Sequence, residues 1–242
     1  MKRFYKTVDI EGPTDGVWRI LLDGRPVRTP GRVHLDIATD ALAEAIAAEW
    51  RAQSEKIDPN SMPLTSLAST AADRVGPLRG PVTDQLLGFV QSDMVCYRAD
   101  SPRELVARQD ACWQPLVDWL EQRFDARLTV TSGVMPVSQP EAAGRAVRAA
   151  LAALDDDALT AVSCAAAATG SLVLALALIE GRLDPEAAIE AAHLDELWQA
   201  EQWGSEDHAV ERRAVTSADI VAAARYHALS RPVAGGGGFP GA

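Results

Sequence analysis

An uncharged apolar stretch, Ala158–Ile179, constrains the fold of this chain more than any other feature. It is long enough to span a bilayer, so a membrane-associated helical protein is one interpretation. However, it is mostly alanine with serine, threonine and glycine, it follows three aspartates, and no aromatic belt flanks it. Alanine adds little to the free energy of membrane insertion. The stretch therefore predicts a buried element of a soluble protein, interrupted at Thr169–Ser171, with Ser171 capping a second helix.

Composition excludes several classes of function. The formal net charge of −11 argues against a nucleic-acid partner, because no basic run offsets the repulsion from phosphates. Cys96, Cys112 and Cys164 are far apart and have no metal-binding spacing, which favours a reducing compartment. Glycine-rich phosphate loops and hydrolase motifs are absent. We therefore expect no cofactor and no catalytic or metal-binding residues.

The pattern along the chain predicts an α+β protein. Strands are predicted over residues 3–10, 17–22 and 25–35, with a hairpin turn at Asp23-Gly24, where both residues tolerate positive φ. Helical spacing begins after Thr39, a good N-cap. Further helices are predicted over residues 80–92, 103–124, 139–153, 156–180 (broken), 184–203 and 216–229.

These elements predict a small N-terminal β-rich domain, followed by a larger all-helical domain. The first, residues 1–62, ends in a helix, and the second comprises residues 63–232. Residues 233–242 are rich in glycine and predict a disordered tail. The start of the sequence lacks the apolar core of a signal peptide, which predicts a cytoplasmic protein.

An E-x-x-H pair, Glu190 and His193, opens the segment EAAHLDELWQAEQWGSED (190–207). This spacing places two metal ligands on adjacent turns of one helix, as in carboxylate-bridged two-metal bundles. Those bundles use two such pairs and two further glutamates, and a lone pair cannot fill a coordination shell. The pair is interpreted as an ordinary helix-surface pair. A metal-dependent hydrolase or oxidase using Glu190 and His193 is the alternative.

The same segment predicts a helix with two faces to cover. At 100° per residue, one face is an apolar stripe that includes an acid: Leu194, Leu197, Trp198 and Glu201. The other face carries Glu196, Gln199 and Trp203. We expect the three apolar residues of the stripe to anchor the helix, and a partner or the domain itself to cover the other side. Glu201 is then either a rim acid paired with an arginine or a group kept for recognition.

A second unusual cluster begins at Glu49 and Trp50. Trp50 is interpreted as a core anchor, because large aromatic residues at helical spacing are usually buried. The next helix is predicted to start at Pro63, which suits a first helical turn. Asp73 and Arg74 are interpreted as its solvated end.

Six segments, in order along the chain, resemble the ATP-synthase assembly chaperones of the Atp-twelve type. They are RFYK, LDGRPVRTP, AIAAEWRAQ, MPLTSLASTAADRV, ATGSLVLALAL and DELWQAEQWG. The similarity extends from about residue 3 to about residue 230. It implies a non-enzymatic factor with a β-rich N-terminal part and a helical C-terminal part. It also implies binding to the free alpha subunit of the F(1) catalytic head, and shielding of the surface that later packs against the beta subunit.

The resemblance also implies partner-binding positions in two blocks. The segment DELWQAEQWG provides Glu196, Gln199, Trp203 and Gly204, and Trp198 and Glu201 are neighbouring positions. The earlier block provides Glu49, Trp50, Met62, Pro63, Leu64 and Thr65. We expect a monomer in the bacterial cytoplasm, with organellar relatives in the mitochondrial matrix. No membrane insertion is expected.

Overall fold

The computed structural model describes residues 1–133 and 135–232, so the predicted tail at 233–242 lies outside the described residues. The chain forms two compact units. The first comprises Met1–Pro77 together with the described residues from Arg225 onward, and the second comprises Leu78–Ala224. The expected boundary between residues 62 and 63 falls inside the first unit, because the helix that begins there packs on the helix before it.

An antiparallel three-stranded sheet in the order β1-β2-β3 begins the first unit. Its strands are β1 (Val8–Thr14), β2 (Val17–Leu22) and β3 (Arg25–Pro26). Asp23 and Gly24 both have positive φ, 49° and 75°, which confirms the predicted hairpin turn. β3 is shorter than expected, because proline cannot donate to a strand ladder.

Helix α1 (Asp40–Ala52) packs against this sheet, and α2 (Pro63–Thr70) packs against α1. Thr39 caps α1 by accepting a hydrogen bond from the Leu42 amide, as predicted. A 3₁₀ turn at Pro59–Ser61 precedes α2, and a π-helical turn at Ala71–Val75 follows it. The core of this unit therefore lies between the inner face of α1 and the sheet.

The second unit is helical. Its helices are α3 (Arg79–Gln91), α4 (Arg103–Phe124), α5 (Glu141–Ala152), α6 (Asp156–Thr169), α7 (Leu172–Ile179), α8 (Pro185–Ala192), α9 (Leu194–Trp203) and α10 (Asp207–Ser230), the last of which extends into the first unit. Strands β4 (Tyr97–Arg98) and β5 (Thr131–Ser132) form a short parallel pair. A three-stranded N-terminal sheet followed by helices confirms the predicted α+β class.

The apolar stretch forms α6 and α7, which pack against each other. Gly170 adopts a left-handed conformation between them, and the Ser171 hydroxyl accepts a hydrogen bond from the Leu174 amide. Every residue of α7 is buried. The predicted interruption and burial are therefore confirmed. In the part of the chain that the structure describes, none of the helices combines the length and apolar character needed to cross a membrane.

Two helix predictions were wrong. Residues 184–203 form two helices instead of one, because the backbone at His193 leaves helical geometry between α8 and α9 (φ −103°, ψ 10°). In addition, α10 begins at Asp207 instead of residue 216. Its first turns are largely exposed and polar, so hydrophobic spacing does not signal them.

Candidate functional site

Polar contacts connect the end of α8 and the start of α9 to α4. Gln109 donates a hydrogen bond to Asp195 at 2.7 Å, and the Trp113 indole donates one to the Ala191 carbonyl at 2.9 Å. Trp113 is only 1% exposed. Because a buried indole N–H needs an acceptor, this bond determines where the end of α8 lies on α4, and hence where α9 begins.

Helix α10 holds the other side of α9. The Glu196 carboxylate lies 3.4 Å from both Arg212 and Arg213. His193 and the Thr216 hydroxyl form a hydrogen bond of 3.1 Å between Nε2 and Oγ1. Burial lowers the pKa of His193, so this imidazole is neutral at physiological pH. Two ion pairs and one hydrogen bond therefore connect the α8–α9 segment to α10.

Glu201 forms an ion pair with Arg108 of α4, with 2.7 Å between the charged groups, and both side chains are half exposed. This is the arrangement of a rim acid paired with an arginine, one of the two alternatives for this residue. An exposed ion pair of this kind contributes little to stability, about 0–1 kcal/mol. The carboxylate therefore remains accessible to a partner.

The expected apolar anchoring of α9 is wrong in part. Trp198 is buried (9% exposed), but Leu197 is 38% exposed and Leu194 is only half buried. The physical reason is that part of the contact with α4 is made by the polar bonds of Asp195 and Glu201, so that only Trp198 of the predicted stripe is buried. Leu197 is therefore available at the surface.

Trp203 projects from the last turn of α9 and is 75% exposed. Trp203 and Trp198 form an edge-to-face pair, with 5.6 Å between the ring centroids. Gln199 is also exposed. Gly204 ends the helix with a positive φ of 85°. A large exposed aromatic side chain beside polar groups is typical of a protein-binding surface. We call the solvent-accessible side chains of this helix the α9 surface: Glu196, Leu197, Gln199, Glu201 and Trp203.

Glu49 has a structural role in the first unit. Its Oε1 accepts a hydrogen bond from the Leu64 amide at 2.8 Å, and its Oε2 accepts from both the amide and the hydroxyl of Thr65, at 2.8 and 2.7 Å. The N-cap residue of α2, Met62, provides no side-chain hydrogen bond. Glu49 therefore caps α2 from the neighbouring helix, and its negative charge is favourable at a helix N-terminus.

Replacing Glu49 with alanine is expected to lower the free energy of unfolding by about 2 kcal/mol, because two amides at the start of α2 lose their acceptor. Urea denaturation monitored by circular dichroism would measure the change. Glu44→Ala, an exposed position on the same helix, is the matched control and is expected to cost less than about 0.5 kcal/mol. Equal effects of the two substitutions would contradict the capping role.

Trp50 is half-buried and lines a cavity of the first unit, instead of being the fully buried core anchor that its spacing predicts. Its backbone carbonyl accepts a hydrogen bond from the Tyr5 hydroxyl at 2.6 Å. Its indole N–H is shielded from solvent and has no acceptor among the described residues. Glu49 and Trp50 thus belong to the first unit, and the α9 surface belongs to the second.

The E-x-x-H pair does not lie on one continuous helix. Glu190 is exposed on α8, whereas His193 is buried at the junction with α9 and bonded to Thr216. Across residues 1–133 and 135–232, no group of three or more His, Cys, Asp and Glu side chains is arranged to hold a metal ion.

Sequence reasoning did not identify the partners of the two acids on α9. Arg108 lies 93 residues before Glu201 along the chain. Arg212 and Arg213 lie on a helix whose first turns were not predicted. No local pattern marks such pairs, because they depend on which helices become neighbours.

Comparisons with known proteins agree on one family. Residues 2–121 match the model of the family described as ATP12 chaperone protein. The mitochondrial protein atp12 of Schizosaccharomyces pombe is 26% identical over 223 residues, which cover 87% of this chain and 76% of that protein.

Two crystal structures resemble more than nine-tenths of the chain. Atp12 from Paracoccus denitrificans is 41% identical, with a TM-score of 0.88 over 95% of this chain and 98% of the other. The Atu1473 protein of Agrobacterium tumefaciens is 42% identical, with a TM-score of 0.88 over 94% of this chain and 85% of the other.

Proposed function

Because this chain belongs to the ATP12 chaperone family, we propose that it is an assembly chaperone of ATP synthase that binds the free alpha subunit. It shields the surface of the alpha subunit that later packs against the beta subunit, in assembly of the F(1) catalytic head. It acts as a monomer, without catalysis, in the bacterial cytoplasm. Relatives from Paracoccus and Agrobacterium support the bacterial setting.

The exposure of Trp203 carries this proposal. Tryptophan is enriched among the residues that dominate protein-protein binding energy, because one side chain buries a large area at a small entropic cost. Trp203 is exposed, while the helix that bears it is held by α4 and α10. A preorganised anchor loses little conformational freedom on binding.

The two acids of the α9 surface are expected to orient the client. Glu196 and Glu201 lie on different sides of the helix, each paired with arginine from a neighbouring helix. Because both are partly exposed, a basic group of the client can approach either one, and an acidic group is repelled. Such rim charges affect specificity and association rate more than affinity. Moderate affinity suits a chaperone that must release its client for assembly with the beta subunit.

Co-expression with the cognate alpha subunit tests the proposal directly. We expect the chaperone to increase the soluble fraction of the alpha subunit, and the two proteins to elute together in gel filtration. If the alpha subunit is equally soluble, and unbound, with and without this protein, the proposed function is wrong.

Replacing Trp203 with alanine is expected to weaken binding to the alpha subunit by roughly 30-fold, equivalent to about 2 kcal/mol. Titration calorimetry with purified alpha subunit measures the dissociation constants. Phe4→Ala is the matched control, since Phe4 is an exposed aromatic residue of the first unit. Equal affinities of the Trp203→Ala variant and the unmodified protein would rule out Trp203 as the anchor.

A further inference from the structure

The first unit contains a cavity of about 550 Å³, outside the α9 surface. Its apolar wall combines residues from the loop after β3, from α1 and from the segment before α2: Val27, Trp50, Ile57 and Met62. Helix α2 contributes a row of hydroxyl groups: Thr65, Ser66, Ser69 and Thr70. A volume of this size is typical of sites that bind small ligands or a few side chains of a peptide.

The wall of the cavity is held in place by Asp73. Its carboxylate accepts hydrogen bonds from the Thr29 hydroxyl at 2.6 Å and from the Gly31 amide at 2.7 Å. A Cβ atom at Gly31 would lie 2.5 Å from Asp73 Oδ1, so a side chain at this position would displace the Asp73 carboxylate. Asp73 and Arg74 belong to the π-helical turn, an irregularity often found at functional sites. The cavity is therefore largely preformed.

The charge of the lining is opposite to that of the whole chain. The protein has a formal net charge of −11, but the cavity is lined by the guanidinium groups of Arg28 and Arg74, against the carboxylate of Asp73. Arg28 is exposed, donates to the Arg32 carbonyl at 2.9 Å, and pairs with no carboxylate among the described residues. A concave surface of one sign concentrates ligands of the other sign.

The uncharged polar groups match a peptide backbone. The hydroxyls of Ser69 and Thr70 donate to the Thr65 and Ser66 carbonyls within α2, so their oxygens are left to accept hydrogen bonds. An extended peptide offers amide donors to such oxygens along its length.

We propose that this cavity is a binding site for an extended segment of a protein partner, with an apolar side chain next to an acidic one. The apolar side chain packs on Val27, Ile57 and Met62, and the acidic one pairs with Arg28. The site is separate from the α9 surface and does not require the alpha subunit to be the partner.

The experiment measures binding of the full chain to a peptide of alternating leucine and glutamate, labelled with fluorescein at its amino terminus and amidated at its carboxyl terminus. We expect saturable binding, and a peptide with lysine in place of glutamate should bind at least about tenfold more weakly. Arg28→Glu should weaken binding of the glutamate peptide by at least about tenfold and reverse the preference. Arg25→Glu, an exposed position outside the cavity, is the matched control and should change affinity less than about twofold.

Two further variants test the cavity itself. Ser66→Trp, at an exposed position on α2, should fill the cavity and abolish peptide binding without affecting the fold. Trp50→Phe, which replaces the indole with a smaller ring and so reduces the apolar area that lines the cavity, should weaken binding about fivefold. Binding that is unchanged by both Arg28→Glu and Ser66→Trp would overturn the proposal. Binding that is detected only after removal of residues 233–242 would also overturn it, because the chain itself would then be the occupant. Because the alpha subunit is absent, the result is independent of the proposed function.

Discussion

Replacement of Asp93 by alanine is expected to lower the free energy of unfolding by about 3 kcal/mol, and the melting temperature by about 6–12 °C. Asp93 is fully buried, and its Oδ2 accepts hydrogen bonds from the Leu172 and Val173 amides at 2.8 and 3.0 Å. Its Oδ1 accepts a bond from the Val95 amide at 3.3 Å. The substitution leaves three amides in the core without this acceptor, and each loss is costly where water cannot replace it.

The charge of Asp93 partly offsets this loss. Burial raises the pKa of Asp93 to about 6, although hydrogen bonds from Ser171 and from backbone amides act to lower it. The carboxylate is therefore ionised at pH 7.5. Removing a buried charge recovers part of its desolvation cost, and for this reason we expect about 3 kcal/mol and not the sum of three lost bonds.

Thermal and urea denaturation at pH 7.5 would measure the effect. Asp184→Ala is the matched control, because Asp184 caps α8 through the Ala187 amide at an exposed position. An exposed N-cap contributes about 1 kcal/mol. If Asp93→Ala costs no more than this control, Asp93 does not tie the start of α7 to the core.

Replacement of Trp113 by alanine is expected to cost about 4 kcal/mol, because it leaves a large void in the core and deprives the Ala191 carbonyl of its donor. The Trp113 ring also lies 5.2 Å from the Arg98 guanidinium, so the substitution exposes a buried cation to an empty space. The same denaturation experiment measures the loss.

Trp113→Phe separates packing from hydrogen bonding. Phenylalanine fills most of the space but cannot donate to Ala191, so we expect a loss of about 1–2 kcal/mol. It should also loosen the junction between α8 and α9, and thereby weaken binding at the α9 surface. A phenylalanine variant as unstable as the alanine variant would show that packing alone does not explain the role of Trp113.

Local patterns were sufficient for much of the fold. Thr39 and Ser171 cap helices whose amides lie three residues further on, and Asp23-Gly24 adopts its turn by backbone preference alone. Such features depend on neighbours in sequence, so a sequence reveals them. The first turns of α10 and the break at His193 were missed, because neither has a hydrophobic period or a strong breaking residue.

The candidate site was predictable only as a set of positions. Resemblance to the family indicated Gln199 and Trp203, but the sequence could not show that Trp203 is exposed while Trp198 is buried. The sequence also could not show that Glu49 caps α2, because this role depends on the packing of α1 against α2, which places the carboxylate beside the first amides of α2.

Residue order and composition were therefore enough to establish the α+β class, the buried α6–α7 pair and the caps, because each arises from propensities within a few residues. Only the tertiary structure places Glu201 beside Arg108 and Asp93 at the start of α7. It also forms the cavity lined by arginine side chains in an otherwise acidic protein. These features depend on side chains that are remote in sequence. Their positions follow from packing between helices and strands, which local preferences do not encode.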